Sequence, residues 1–200
     1  MSVVLLRDKV EGAKEVHLEG MPSLYYIPKY VNTFGKILEV KPFTDELIAE
    51  YFIRHEDEYY GYYTGFCSLN MIGGSTQVPM VVEIKSNNVN EKYEYNKNGV
   101  RYIITKSDIE VNSANHSVLE LLDDIEYLYD YFDEGLWDVP LVINHCVEKL
   151  NLEKKDFEPY LKLYSARTNE VIKHIFTPGW CRLHYIKRRI ENRDGRYDGF

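Results

Sequence analysis

The spacing of apolar residues predicts strands in the first half of the chain and helices in the last third. The run Leu24 to Ile27 has the aromatic and β-branched content of a strand and ends at Pro28, which cannot donate to a ladder. Residues 44–55 place apolar side chains at helical spacing, so they predict a helix with Thr44 as its cap. Residues 3–15 show a weaker helical pattern.

The middle of the chain predicts a short helix followed by a small sheet. In residues 64–74 apolar side chains recur at every third position, and Gly73 supplies a left-handed exit, which is typical of a helix end. Residues 77–87 predict a strand. The pair Asn98-Gly99 lies between two alternating runs, which indicates a tight hairpin, and residues 108–112 predict a fourth extended run.

Helical periodicity dominates from Asn115 onward, with Pro140 and Pro178 as breaks. The predicted helices cover residues 116–133, 140–150, 154–163, 168–176 and 181–191. Because the strands are grouped in the middle and the helices follow them, we expect an α+β fold, with a small antiparallel sheet in the middle and a helical C-terminal third.

Composition narrows the class of protein. Hydrophobic residues make up 44% of the chain, which is enough for a core and excludes a disordered chain. No run approaches about 18 apolar residues, so we expect no membrane span, and the first residues lack a secretory signal pattern. Cys67, Cys146 and Cys181 lack CxxC spacing and are typical of buried thiols in a cytoplasmic protein. We therefore expect no disulfide, zinc site or other cofactor.

Charge is concentrated in two blocks. The net charge of -8 argues against a protein that simply coats nucleic acid. Residues 119–138, the acidic segment, contain carboxylates but no lysine or arginine, whereas residues 181–196, the basic tail, are rich in both. The two blocks either pair with each other or form a polarised surface for a partner.

Tyrosine is abundant, with 18 residues, and favours a binding protein because its ring suits half-exposed interfaces. The acidic segment with its aromatic residues is therefore a candidate partner-binding face, and the basic tail is a candidate contact for nucleic acid or a partner. The residues of the face are Asp123, Asp124, Glu126, Tyr127, Asp130, Tyr131, Asp133, Glu134 and Trp137, and those of the tail are Arg182, Lys187, Arg188 and Arg189.

The glycine-rich stretch "GYYTGFCSLNMIGGSTQVP" was tested against known catalytic motifs. No lysine follows Gly73-Gly74, as a phosphate-binding P-loop requires, and GxGxxG is absent. The chain contains neither a GxSxG elbow nor an HExxH metal motif, and its six histidines are scattered. The sequence therefore predicts no catalytic residue and no metal ligand.

Three stretches carry a family resemblance: "LYYIPKY", "GYYTGFCSLNMIGGSTQVPMVVEIKSNN" and "VNSANHSVLELLDDI". Together, over residues 22–130, they resemble the AbiEi-type antitoxins of bacterial type IV toxin–antitoxin, or abortive infection, systems. Within the second stretch the matching residues include a set that we expect to be structural: Gly61, Thr64, Gly65, Asn70, Gly73, Thr76, Gln77 and Pro79.

The resemblance implies a non-enzymatic bacterial protein that neutralises a nucleotidyltransferase-like toxin by direct binding. In that family an N-terminal winged helix binds promoter DNA, but too few residues precede the first matched strand here for a complete one. We therefore expect residues 1–40 to be a remnant winged-helix-like segment and residues 41–200 to be an AbiEi-like α+β domain.

Two alternatives stay open. One is an inhibitor encoded by a phage or mobile element, which would turn its acidic face towards a nucleic-acid-binding protein. The other is a DNA-binding transcriptional autoregulator, which would act through the basic tail or as a dimer. The sequence does not choose an oligomeric state.

Overall fold

The computed structural model describes residues 4–6, 9–74, 78–131 and 139–179, with side chains for residues 9–74, 78–127 and 142–179. The described elements form an α+β fold, as the sequence predicts. The chain divides into two compact units: the sheet unit, Met1–Thr64 with Met80–His116, and the helical unit, Gly65–Pro79 with Ser117–Phe200. The domain boundary expected at residue 40 does not coincide with any boundary between these two units.

The sheet unit begins with three short antiparallel strands, β1 (Val4–Leu6), β2 (Lys14–Val16) and β3 (Leu24–Ile27). They lie in the order β1-β3-β2. The strand expected at Leu24–Ile27 is confirmed, whereas the weak helix expected over residues 3–15 is wrong. That segment supplies β1 and β2 instead, because pairing with the distant β3 overrides a weak local preference.

Strands β4 (Lys29–Thr33) and β5 (Lys36–Val40) form a separate antiparallel pair, here called the ribbon. Helix α1 (Thr44–Phe52) follows and confirms the predicted helix. Its cap is Phe43 rather than Thr44, and the Glu46 carboxylate accepts the Phe43 N–H at 3.0 Å. Glutamate at this position commonly reaches back to the cap in this way.

A two-stranded hairpin, β6 (Arg54–His55) and β7 (Glu58–Tyr59), precedes the main sheet. The main sheet has the order β10-β11-β9-β8 and consists of β8 (Gly61–Thr64), β9 (Val81–Ser86), β10 (Tyr93–Lys97) and β11 (Val100–Lys106).

The hairpin expected at Asn98-Gly99 joins β10 to β11 and is confirmed. Both turn residues have positive φ, 52° and 85°, which is the tight turn that Asn-Gly favours. The sheet is mixed rather than wholly antiparallel, because β9 and β11 pair in parallel. Residues 108–112 form no strand, so the fourth extended run is wrong.

One face of α1 and the main sheet enclose the core of the sheet unit. The apolar stripe predicted for α1 is buried there, and the largest fully buried members of this core are Leu24, Ile48, Phe52, Ile84 and Ile104. Each such side chain contributes about 1.5–3 kcal/mol to stability by leaving water.

The helical unit contains α2 (Gly65–Met71), most of α3 (His116–Tyr131), α4 (Val139–Lys149), α5 (Lys154–Phe157), the 3₁₀ turn Leu161–Leu163 and α6 (Ala166–Ile175). The helices predicted near these positions are confirmed, although residues 154–163 form two short pieces. The helix predicted at 181–191 lies outside the described residues. The most deeply buried residues in the core of the helical unit are Leu69, Val118, Leu121, Leu122, Ile125, Ile143, Phe157 and Ile172.

Candidate functional site

The carboxylates of the acidic segment on α3 were the first candidates for a functional surface. Asp123 is 5% exposed and Asp124 is 0% exposed, so neither presents its carboxylate to solvent. The prediction of a solvated face is therefore wrong at these two positions. The helical period of α3 turns both positions towards the packed interior, where only local hydrogen bonds can compensate the loss of water.

Ser68 of α2 supplies one of those hydrogen bonds. Its Oγ lies 2.9 Å from Asp124 Oδ2 and 3.1 Å from Glu120 Oε1, and Ser68 itself is fully buried. Residues 120 and 124 are one helical turn apart, so both carboxyl groups reach the same hydroxyl. The three side chains, the Ser68 triad, connect α2 to α3.

Burial changes the acidity of the triad. Removal from water raises the pKa of the Glu120 carboxyl to about 7, an effect that the hydrogen bond from Ser68 only partly offsets. Burial also raises the pKa of Asp124 well above its ordinary value, and the neighbouring Glu120 charge adds to that rise. These are the conditions under which a carboxyl group holds its proton near neutral pH.

The other two carboxylates of this part of α3 contact the turn before α6. The Tyr164 phenol donates to Asp123 Oδ1 at 2.9 Å. Glu126 accepts from the Ser165 backbone N–H at 2.5 Å and from the Ser165 hydroxyl at 2.9 Å. The Ser165 hydroxyl in turn accepts the Thr168 N–H and caps α6. Carboxylates from Glu120 to Glu126 thus connect α2, α3 and α6.

The remaining candidates of the acidic segment have different outcomes. Tyr127 is half-buried and meets the Phe66 ring edge-on at 6.3 Å between centroids, so its ring packs inside the helical unit. The backbone of Asp130 and Tyr131 lies in α3, but their side chains lie outside the described residues. The same holds for the whole of Asp133, Glu134 and Trp137, and for Arg182, Lys187, Arg188 and Arg189 of the basic tail.

The matched glycines have structural reasons that need no ligand. At Gly61 a Cβ atom would lie 2.1 Å from the Phe52 carbonyl oxygen and 2.7 Å from that of Lys85, so no side chain fits. Gly65 and Gly73 have φ of +68° and +83°, and they lie at the two ends of α2. These conformations favour glycine over every other residue.

The other matched residues lie along the same chain segment. Thr64 is buried at the end of β8, Asn70 is half-buried in α2, and Pro79 precedes β9. Thr76 and Gln77 lie outside the described residues. Asn87, at the end of the matched stretch, accepts the Val111 N–H at 2.9 Å and donates to its carbonyl at 2.7 Å.

The ribbon is the most exposed apolar feature among the described residues, and it is absent from the elements predicted from the sequence. Phe34 at its tip is fully exposed and Ile37 is 75% exposed. Tyr30, Val31 and Leu38 are also exposed. An isolated two-stranded hairpin is only marginally stable in water, so apolar groups on both of its faces are an unusual feature of a protein surface.

The turn of the ribbon has an unusual residue. Phe34 and Gly35 have φ of 50° and 77°, the left-handed pair that a two-residue hairpin turn requires. Asparagine or aspartate normally occupies the first position, because an aromatic residue is strained at positive φ. A fully exposed phenylalanine that stabilises no core is therefore kept at a cost to the turn, which points to a function.

The base of the ribbon is held by a polar cluster. Glu39 forms an ion pair with Lys14 and accepts the Tyr26 phenol at 2.5 Å, and these contacts hold the pKa of Glu39 below its ordinary value. Lys36 and Lys41 are exposed near the apolar side chains. Because Lys14 compensates Glu39, the ribbon presents positive charge beside its apolar groups.

A polar cleft of about 560 Å³ opens in the sheet unit between the β6–β7 hairpin, the end of β9 and the loop after β11. Ser113 in that loop donates to the Asp57 carbonyl at 2.8 Å and accepts the Tyr59 N–H at 3.2 Å. Asn87, which lines the same cleft, is engaged with Val111. These polar groups hold the loop in place.

Within the described ranges, no group of three or more His, Cys, Asp or Glu side chains is arranged to hold a metal ion. Cys146 is buried and Cys67 is half-buried. None of the helices described combines the length and the apolar character needed to cross a bilayer.

Comparisons of the chain with models of protein families, with curated proteins and with solved structures found no match.

Proposed function

We propose that this chain is a non-enzymatic, antitoxin-like cytoplasmic protein that neutralises a nucleotidyltransferase-like toxin by direct binding, with the ribbon as its docking element. The resemblance over residues 22–130 supports the antitoxin class. The ribbon replaces the acidic segment as the docking surface, because Asp123 and Asp124 are buried.

The observation that carries the proposal is the exposure of the ribbon, above all the fully exposed Phe34 at its tip. Exposed aromatic and aliphatic side chains are the anchors that fill pockets on a partner protein. Lys36 and Lys41 beside them fit a partner whose apolar groove is bordered by carboxylates. Ile37 and Leu38 are aliphatic groups, which suit a protein groove better than a nucleic-acid groove.

The backbone of the ribbon offers a second mode of contact. In a two-residue hairpin the residues beside the turn, Thr33 and Lys36, bond to each other, and the bonding direction then alternates along each strand. Tyr30 and Asn32 in β4 and Ile37 in β5 therefore direct their backbone groups outward. A strand of the partner can pair with either edge, while Phe34 fills a pocket.

The test uses a purified AbiEii-type nucleotidyltransferase toxin and the full chain, mixed in a calorimeter. We expect a complex whose dissociation constant rises at least tenfold in Phe34→Asn and in Ile37→Ser. Asparagine suits positive φ, so Phe34→Asn removes the ring without straining the turn. The control is Leu163→Ser, which removes an exposed apolar side chain from the helical unit and should leave binding unchanged.

Any other result of this binding experiment contradicts a specific part of the proposal. If no complex forms with the toxin, the antitoxin assignment is wrong. If a complex forms and all three variants bind equally, the ribbon is not the docking element. Salt-sensitive binding of duplex DNA that weakens in Lys36→Gln and Lys41→Gln, without toxin binding, would favour the DNA-binding regulator instead.

A further inference from the structure

The Ser68 triad has too few hydrogen atoms to form both of its hydrogen bonds if the Glu120 and Asp124 carboxyl groups are both ionised. The Ser68 hydroxyl has one hydrogen to donate and lies within hydrogen-bond distance of both Glu120 Oε1 and Asp124 Oδ2. If it donates to one carboxylate, the other contact is favourable only when that second carboxyl group is protonated and donates to Ser68 Oγ. The geometry therefore requires at least one bound proton.

The burial of the triad increases the cost of losing that proton. Asp124 and Ser68 are fully buried, and Asp124 Oδ1 has no hydrogen-bond partner among the residues described. Two ionised carboxylates one helical turn apart at such a place would repel each other in a medium that screens poorly. Loss of the proton therefore weakens the contact between α2 and α3.

Another carboxylate near the triad also raises the pKa values of its two carboxyl groups. Asp123, on α3, raises the pKa values of both Glu120 and Asp124. Burial raises the pKa of the Cys146 thiol on α4, the nearby Asp124 and Glu120 charges add to that rise, and Lys149 opposes it. The negative charges around the triad thus favour retention of the proton.

Helix α2 has the geometry of a movable segment. It is seven residues long and is bounded by Gly65 and Gly73, both with positive φ. Glycines at the two ends of a short helix allow rotation that other residues resist. Helix α2 also packs on α3 through Leu69 and through the edge-on contact between the Phe66 and Tyr127 rings, and the Ser68 hydrogen bonds add a polar link between the two helices.

We propose that the Ser68 triad is a proton-dependent latch, which holds α2 on α3 while Glu120 and Asp124 share a proton and releases α2 when both ionise. The latch is independent of the ribbon, and its test needs no partner.

The sign of the pH effect follows from proton linkage. Above the ordinary carboxyl pKa the folded state binds more protons than the unfolded state, so the latch is strongest below that pKa and weakens as the pH rises. It weakens as the pH rises through about 7, the value at which Glu120 ionises. For Glu120 alone, the closing equilibrium should fall on the order of 10²-fold between about pH 5 and 8.

The experiment measures hydrogen-exchange protection of the α2 amides in the full chain from pH 5 to 8, corrected for intrinsic exchange rates. We expect protection to fall more than tenfold in the natural sequence. In Glu120→Gln, whose amide stays neutral and can still bond Ser68, most of that fall should disappear. The matched control is Glu170→Gln, an exposed carboxylate on α6, which should retain the full fall.

Carboxyl ¹³C shifts provide a readout that does not depend on the variants. We expect the Glu120 carboxyl to titrate near pH 7 and Asp124 at higher pH than a free aspartate. Titration of both groups below pH 5 would overturn the latch. So would α2 protection that does not change with pH, or an equal fall in Glu120→Gln and Glu170→Gln.

Discussion

The Tyr164 phenol donates a 2.9 Å hydrogen bond to the Asp123 carboxylate, which is 95% buried in α3. This contact joins α3 to the turn that precedes α6. Together with the bonds to Ser68 and Ser165, it makes the first half of the acidic segment a polar centre of the helical unit. Its carboxylates therefore stabilise the fold instead of facing a partner.

Tyr164→Phe tests this contact. The change removes one hydrogen-bond donor from a buried carboxylate, so we expect a loss of about 1–3 kcal/mol in the free energy of unfolding. Urea denaturation followed by circular dichroism measures it. Tyr30→Phe removes a hydroxyl from the exposed ribbon and should change stability by less than about 0.5 kcal/mol. Equal losses in both variants would contradict a specific role for the Asp123 contact.

Gly61→Ala is expected to be the most damaging single substitution among the matched glycines. The added Cβ would overlap the carbonyl oxygens of Phe52 and Lys85, which belong to α1 and β9 and cannot both withdraw. We expect a loss above about 4 kcal/mol, or no folded protein. Gly73→Ala has open space around it and should cost only about 1 kcal/mol, for its positive φ. Thermal unfolding of the two variants distinguishes overlap from backbone strain.

Local signals predicted the elements that are stabilised locally. The period of α1, the glycine exit of α2 and the Asn98-Gly99 turn each depend on residues within a few positions, and all three are present. The ribbon had a comparable signal, because β-branched and aromatic residues are frequent on both sides of Phe34-Gly35. A glycine after an aromatic residue is a weaker turn pattern than Asn-Gly, which explains the omission.

The burial of the acidic segment could not be predicted from local sequence. Ser68 and Tyr164 are separated from their carboxylate partners by 56 and 41 positions, so only the folded chain brings them together. A run of carboxylates without nearby cations normally indicates a solvated face. Here hydroxyl groups partner several of the carboxylates, and no spacing rule links a hydroxyl to a carboxylate at that distance.

Ser165→Ala removes two contacts at once. Its hydroxyl accepts the Thr168 N–H as the cap of α6 and donates to Glu126 at 2.9 Å. Loss of a serine cap costs about 1 kcal/mol, and the lost bond to a carboxylate adds to that, so we expect about 1–3 kcal/mol. Ser165→Asp would restore the cap but place a second carboxylate beside Glu126. We therefore expect it to recover less than Ser165→Asn, as measured by urea unfolding, and equal recovery would argue against the Glu126 contact.

Glu120→Gln should reverse the usual rule that removal of a native hydrogen-bonded carboxylate destabilises a protein. In the natural sequence burial raises the pKa of Glu120 to about 7, so ionisation above that pH works against folding. Glutamine stays neutral and retains groups that can bond Ser68. At about pH 8 we therefore expect the variant to be more stable than the natural sequence, by roughly 1–3 kcal/mol, whereas near pH 4 the two should be equal. Thermal melts at both pH values provide the measurement. A variant that is less stable at both would show that the ionised Glu120 carboxylate stabilises the helical unit, and would contradict the raised pKa.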